Sequence, residues 1–201
     1  MSLIILTLDR EKKTHSIYCD GLTVSGGQIC KTNSNKIAYF NTSQYSILLG
    51  TTGSLIFTRY FRVNFEEQFR QSDVLQNLSN TELSCEKIKV LISSIWKDFC
   101  EVNRISLDNS DFSDFGCVMS INGHLYNIDY YRCGEINTFD VYEVNDRDYH
   151  ASGQDDIAAM CLLENNIEPQ KIFDTISKFN CHINNIVHSI ENISYLNKFN
   201  C

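Results

Sequence analysis

Along this chain the hydrophobic pattern switches between the strand period of about 2 and the helix period of about 3.6, and the order of those switches constrains the fold most. Short runs of strand character occupy 2–8, 14–19, 22–24, 28–30, 36–39 and 45–50. Two helical segments follow in succession. Leu55, Ile56, Tyr60, Val63 and Phe69 mark the first, beginning after Gly53, and Ile88, Leu91, Ile92, Ile95, Trp96 and Phe99 mark the second. Strands return at 116–121, 125–131 and 138–144, then two more helices, one through Ala158, Ala159 and Leu162 and one from Pro169 through Phe179. Residues 181–188 read as a final strand. A βαβ winding alternates one strand with one helix, whereas helices arriving in consecutive pairs predict an α+β fold. That fold is a four-layer αββα sandwich, two antiparallel sheets flanked by helix pairs.

Local signals sharpen the boundaries. The polar Asp9-Arg10-Glu11-Lys12-Lys13 predicts a hairpin tip, Ser25-Gly26-Gly27 a tight turn or bulge, and Asn122-Gly123 a two-residue hairpin. Ser79-Asn80-Thr81-Glu82 resembles a capping box before the second helix. The Asp-, Asn- and Ser-rich stretch 106–114 reads as a loop, and Asp148 to Gly153 as a turn before the third helix. Pro169, the only proline, suits a first helical turn. Neither repeats nor a linker long enough to divide the chain appear, so residues 1–201 are expected to form one domain.

Composition excludes several classes. A net charge of -8 with no basic block argues against nucleic-acid binding, which depends on cations neutralising phosphates. No apolar run approaches the roughly 18 residues of a membrane span, and no secretory segment is evident. The nine cysteines are odd in number and irregularly spaced, with no Cys-x-x-Cys pair. They read as reduced thiols, which predicts a cytoplasmic location.

Four local features coincide in order and spacing. Asp20-Gly21 is followed by Lys36 sixteen residues after Asp20. Gly50-Thr51-Thr52-Gly53-Ser54 forms a glycine-bearing turn before a helix, and Ala151-Ser152-Gly153-Gln154 leads into an Ala-containing helix. Val187 to Ile193 closes the pattern. Together they resemble the proteasome β-subunit and HslV-like family of amino-terminal nucleophile hydrolases, across nearly the whole chain.

The resemblance implies a peptidase subunit acting on peptide substrates inside a self-assembled homo-oligomeric ring, with an ATPase unfoldase as partner. It implies that Ser2, once Met1 is removed, is the nucleophile and its own α-amine the general base, with a free pKa of about 7.7–8.0. Lys36 would lower the nucleophile's pKa, Asp20 would hold Lys36, the Gly53 amide would supply an oxyanion hole, and Ser152 would assist the amine. Placing Ser2 there requires about two extra residues at the 9–13 hairpin tip relative to the family's spacing. Asn180 stands nearest the position where the family carries a supporting Asp. No cofactor is implied, although the resemblance suggests a structural cation near the carbonyls of Cys181 and Asn184.

Each residue also has an ordinary role. Asp20 suits a turn, Lys36 a solvated strand end, Gly50 and Gly53 turns, and Ser152 a helix cap. Asp155 and Asp156 read as first-turn acids favoured by the helix dipole. His182 and His188 would share a strand face without a third metal ligand, and Cys19 has no evident base beside it. Met1-Ser2-Leu3 reads equally as a native start and as a cloning remnant. The alternative is accordingly a catalytically inactive proteasome-like subunit with a structural or assembly role; an unrelated amidohydrolase on the same fold is a third reading.

Overall fold

Strand β1 (Leu3–Asp9) is apolar on both faces, and its alternation assigns those faces to two different cores. Leu3 and Ile5 pack with the helices α3 (Asp156–Glu164) and α4 (Pro169–Ile176). Ile4, Leu6 and Leu8 pack between the sheets. In the computed structural model, which describes residues 2–25, 28–31, 34–105, 115–133 and 136–195, β1 lies inside a four-stranded sheet. Its neighbours are β2 (Thr14–Asp20) and β10 (Tyr149–Gly153), and β11 (Val187–Ser194) follows β2. Met1, the Gly26-Gly27 turn and the 106–114 loop lie outside the described residues.

The second sheet has five strands in the order β5 (Ile37–Asn41), β6 (Ser46–Gly53), β7 (Phe115–Ile121), β8 (His124–Cys133) and β9 (Ile136–Glu143), all antiparallel. Its central strands show the same division: Ile47, Leu49, Cys117 and Met119 face the helices α1 (Leu55–Gln71) and α2 (Thr81–Asn103), while Leu48 and Val118 face the other sheet. The layers are therefore helix pair, sheet, sheet, helix pair, the expected αββα sandwich. A short ribbon of β3 (Thr23–Ser25) and β4 (Gln28–Lys31) stands apart. His15 of β2 joins the two sheets through one buried polar node, pairing through Nδ1 with Ser120 Oγ at 2.8 Å and through Nε2 with Ser46 Oγ at 3.0 Å.

Several local readings change. The buried face of α1 is Phe57, Phe61, Phe65 and Phe69, spaced i, i+4 and in ring contact along the helix, whereas Leu55, Ile56 and Val63 are exposed. The cap of α2 is Asn80, whose side chain accepts from the Leu83 amide at 3.1 Å, in place of a Ser79 capping box. The 148–153 stretch is mostly strand β10, because the free edge of β1 supplies it with ladder partners from Leu3 to Thr7. Phe179 lies beyond α4 and is exposed, and the last strand begins at Val187 rather than Cys181. Asn122 and Gly123 both take positive φ, as a type I′ hairpin requires. None of the described helices is long and apolar enough to cross a membrane.

Candidate active site

Ser2 sits at the head of β1 and is buried. Its carbonyl accepts from the Gln154 amide at 2.7 Å, which extends the β1–β10 ladder by one bond. Gly153 makes that approach achievable: with φ +104, its missing Cβ would stand 2.0 Å from the Ser2 carbonyl oxygen.

Asp20, at the end of β2 and fully buried, ties the neighbouring backbone together. Oδ1 accepts from the Leu3 amide at 2.9 Å and from Lys36 Nζ at 2.8 Å, and Oδ2 accepts from the Leu22 amide at 2.9 Å. Lys36 is itself buried and also donates to the Leu22 carbonyl. Lys36 therefore does not keep the solvated role of an ordinary strand end, while the Asp20 bond to the Leu22 amide two residues on is the local contact of a turn-forming Asp. A buried Lys needs a partner, and Asp20 supplies it within an ion pair shielded from water. Gly21 does not reverse the chain; its amide donates to the Ile186 carbonyl at 2.7 Å and to Asn184 Oδ1 at 3.0 Å.

Ser2 lines a 360 Å³ cleft together with Gly53 and Ser152. Gly53 ends β6 with φ +100, and Ser152 is buried one residue before Gly153. The structure thus brings Ser2, Gly53 and Ser152 to one cleft and binds Asp20 and Lys36 beside the Leu3 amide. Asn180 is engaged elsewhere: its Nδ2 donates to Asp155 and its Oδ1 accepts from the His182 amide at 2.8 Å. His182 lies in the turn after α4, not on a strand with His188. Cys19 is buried between the sheets, where desolvation pushes its thiol up to about 11, so no thiolate forms near neutral pH.

One carboxylate at the cleft escaped the sequence reading. Asp129 of β8 pairs with Gly116 of β7, which has no side chain to cover the space between them. A Cβ on Gly116 would meet Thr52 Oγ1 at 2.7 Å, Ser152 Oγ at 3.1 Å and Asp129 Oδ1 at 3.6 Å. Three polar side chains from three strands therefore converge on the bare face of Gly116. Partial burial raises the Asp129 pKa, the Asn127 amide opposes that rise, and Asp140 and Asp156 add to it. An acidic residue within an apolar strand was the available signal, but only the β7–β8 register gives it a place.

Comparisons with known proteins agree with this architecture. No protein-family model and no curated protein matches the sequence. Among solved structures, the chain is similar to BPH from Thiobacillus denitrificans in complex with epoxomicin, at 14% identity and a TM-score of 0.62, covering 96% of this chain and 99% of that one. It is also similar to Anbu (ancestral beta-subunit) from Yersinia bercovieri, at 15% identity and a TM-score of 0.61, covering 94% and 80% respectively. HslV from Trypanosoma brucei matches at 11% identity and a TM-score of 0.57, covering 93% and 97%. At these identities the likeness is one of fold: the chain shares the architecture of the BPH, Anbu and HslV subunits.

Proposed function

We propose that this protein is a proteasome-like peptidase subunit that hydrolyses peptide bonds through Ser2 after removal of Met1. The observation that carries the reading is the shared Asp20 Oδ1, which holds both the Leu3 amide and the Lys36 ammonium beside a cleft lined by Ser2. In the proposed reaction Ser2 Oγ attacks the scissile carbonyl and its proton passes to the Ser2 α-amine. The Gly53 amide stabilises the oxyanion, where losing a donor typically costs about 2.7–4 kcal/mol of barrier. Collapse of the intermediate breaks the C–N bond, and the α-ammonium returns its proton to the leaving amine. Water, deprotonated by the same amine, then hydrolyses the Ser2 ester and regenerates the hydroxyl. Lys36 favours the developing alkoxide by its charge, and Ser152 orients the amine.

Assembly follows the same reading: copies of the chain form a homo-oligomeric ring enclosing the clefts, fed by an ATPase unfoldase. An Anbu complex from Pseudomonas aeruginosa, a fold neighbour at 14% identity, forms a helical assembly, which supports self-association as a property compatible with this fold. The test is intact mass analysis of natively expressed protein before and after incubation with epoxomicin, the ligand of the Thiobacillus denitrificans neighbour. Loss of Met1 and a single adduct, absent from Ser2→Ala, are expected. Retention of Met1 without an adduct refutes the peptidase and leaves the structural subunit.

A further inference from the structure

Beyond the cleft at Ser2 lies a second cavity of 340 Å³ between β8, β9, β10 and α3. The two adjoin, since Asp129, Ser152 and Asp156 line both. Its polar lining is unevenly satisfied. Asn127 is only 3% exposed and donates through Nδ2 to Asp129 Oδ2 at 2.6 Å and to Tyr142 Oη at 2.9 Å. Its Oδ1 is buried with no hydrogen-bond partner among the described residues. Exchanging the amide's oxygen and nitrogen does not resolve this, because it would set a carbonyl oxygen against the acceptor-only Asp129 carboxylate. His150 Nδ1 is likewise buried without a described partner. Burial, with Arg147 adding to it, lowers the His150 pKa to about 4, so near neutral pH the ring is an uncharged imidazole.

The charges around these orphaned atoms have one sign in excess. Among the described residues, Asp129, Asp156 and Glu164 line the cavity against one cation, Arg147, which is engaged by Asp146 at 3.1 Å. No group of three or more His, Cys, Asp or Glu among the described residues is arranged to hold a metal ion. The acceptors are spread out, as suits a planar organic cation with several donors. A guanidinium carries five N–H groups in a fixed fork and can reach a carboxylate and a neutral acceptor together.

We infer that this cavity is a subsite for an arginine side chain of the peptide substrate, with the guanidinium donating to the Asp129 carboxylate and to Asn127 Oδ1. The substrate assignment rests on the peptidase reading above, since a side chain placed here belongs to a peptide lying in the Ser2 cleft. Binding satisfies a buried acceptor that otherwise bears its desolvation cost uncompensated. It also sets a cation among carboxylates that repel one another.

The test reads binding without turnover. N-acetyl-arginine methylamide and its neutral isostere, the citrulline derivative, are titrated into the wild-type protein by calorimetry. NMR in parallel follows the side-chain resonances of Asn127 and His150. The arginine derivative is expected to bind at least about tenfold more tightly than citrulline, as a charge-assisted hydrogen bond requires. Asp129→Asn, which keeps the side chain's volume and removes its charge, is expected to remove most of that preference while the circular dichroism spectrum stays unchanged. Shifts confined to Asn127 and His150 locate the site independently of any variant. Equal binding of arginine and citrulline, binding of neither, or a preference that survives Asp129→Asn overturns the inference. Arginine binding in a protein that retains Met1 and forms no epoxomicin adduct retains the subsite and rejects the peptidase. An adduct without arginine preference does the reverse.

Discussion

Replacing Asp20 by Asn changes almost no volume and removes one charge from a site closed to water. The Asn oxygen can accept from the Leu3 amide and Lys36, but Nδ2 then faces the Leu22 amide across the 2.9 Å now spanned by a hydrogen bond, donor against donor. Turning the amide over transfers the conflict to Leu3 and Lys36. In either orientation Lys36, 6% exposed, retains its charge against a neutral partner. Orphaning one backbone amide costs about 1–3 kcal/mol, and breaking a buried ion pair by removing one member costs about 3–5 kcal/mol. The ion-pair term is the larger and sets the expectation. In a chain of this length each kcal/mol moves Tm by roughly 2–4 °C, so Asp20→Asn is expected to lower Tm by about 6–20 °C. Calorimetry measures it, with urea unfolding to check that the m-value is unchanged. Adding Lys36→Met removes the stranded charge, so the double variant is expected to be more stable than Asp20→Asn alone by about 1–4 kcal/mol. The reasoning fails if Asp20→Asn stays within about 3 °C of wild type, or if the two substitutions simply add.

Acid lability is expected from the inter-sheet node at His15. Burial lowers its pKa from 6.5 to about 4, so between those values the unfolded chain binds the additional proton. Stability is therefore complete above pH 6.5 and falls as the pH drops toward 4, by about 3 kcal/mol at the end of the window. Urea midpoints at pH 7 and pH 4.5 measure it. His15→Gln should flatten the dependence to the part that His150 contributes, and an unchanged slope contradicts the assignment. Gly153→Ala puts a side chain at φ +104 and within 2.0 Å of the Ser2 carbonyl oxygen. A loss of about 1–3 kcal/mol is expected, with amide shifts at Leu3 and Gln154; an unaltered Tm would mean that the β1 terminus is free to move aside.

Much of the architecture was legible because β1, β6 and β7 bury both faces and so write their strands as short unbroken apolar runs. The Asp20 to Lys36 pairing came from the family resemblance, since sixteen residues of chain do not by themselves imply a contact, and the structure joins those two side chains. Strand β10 was not, since His150 and Ser152 read as turn residues and only pairing with β1 makes them a strand. On α1, Leu55, Ile56, Tyr60, Val63 and Phe69 mark the helix in the sequence, a reading that passes over Phe57, Phe61 and Phe65. The four phenylalanines won because their larger area fills the layer against β6 and β7, leaving Ile56 and Val63 outside. Asp129 was invisible for a related reason: its position at the cleft comes from its registry with Gly116, a relation between strands and not along one.

The double burial of β1 also bears on how firmly the backbone beside Ser2 is held. The first residues of a strand ordinarily fray where few contacts hold them. Here the residue after Ser2 is paired with β10 on one edge, bonded to Asp20 on the other, and packed against α3 and α4. To loosen it, the sheet must come apart, so its opening free energy approaches that of global unfolding and its amide should be among the slowest to exchange. The Ser2 side chain is accordingly positioned by the core itself and not by a loop.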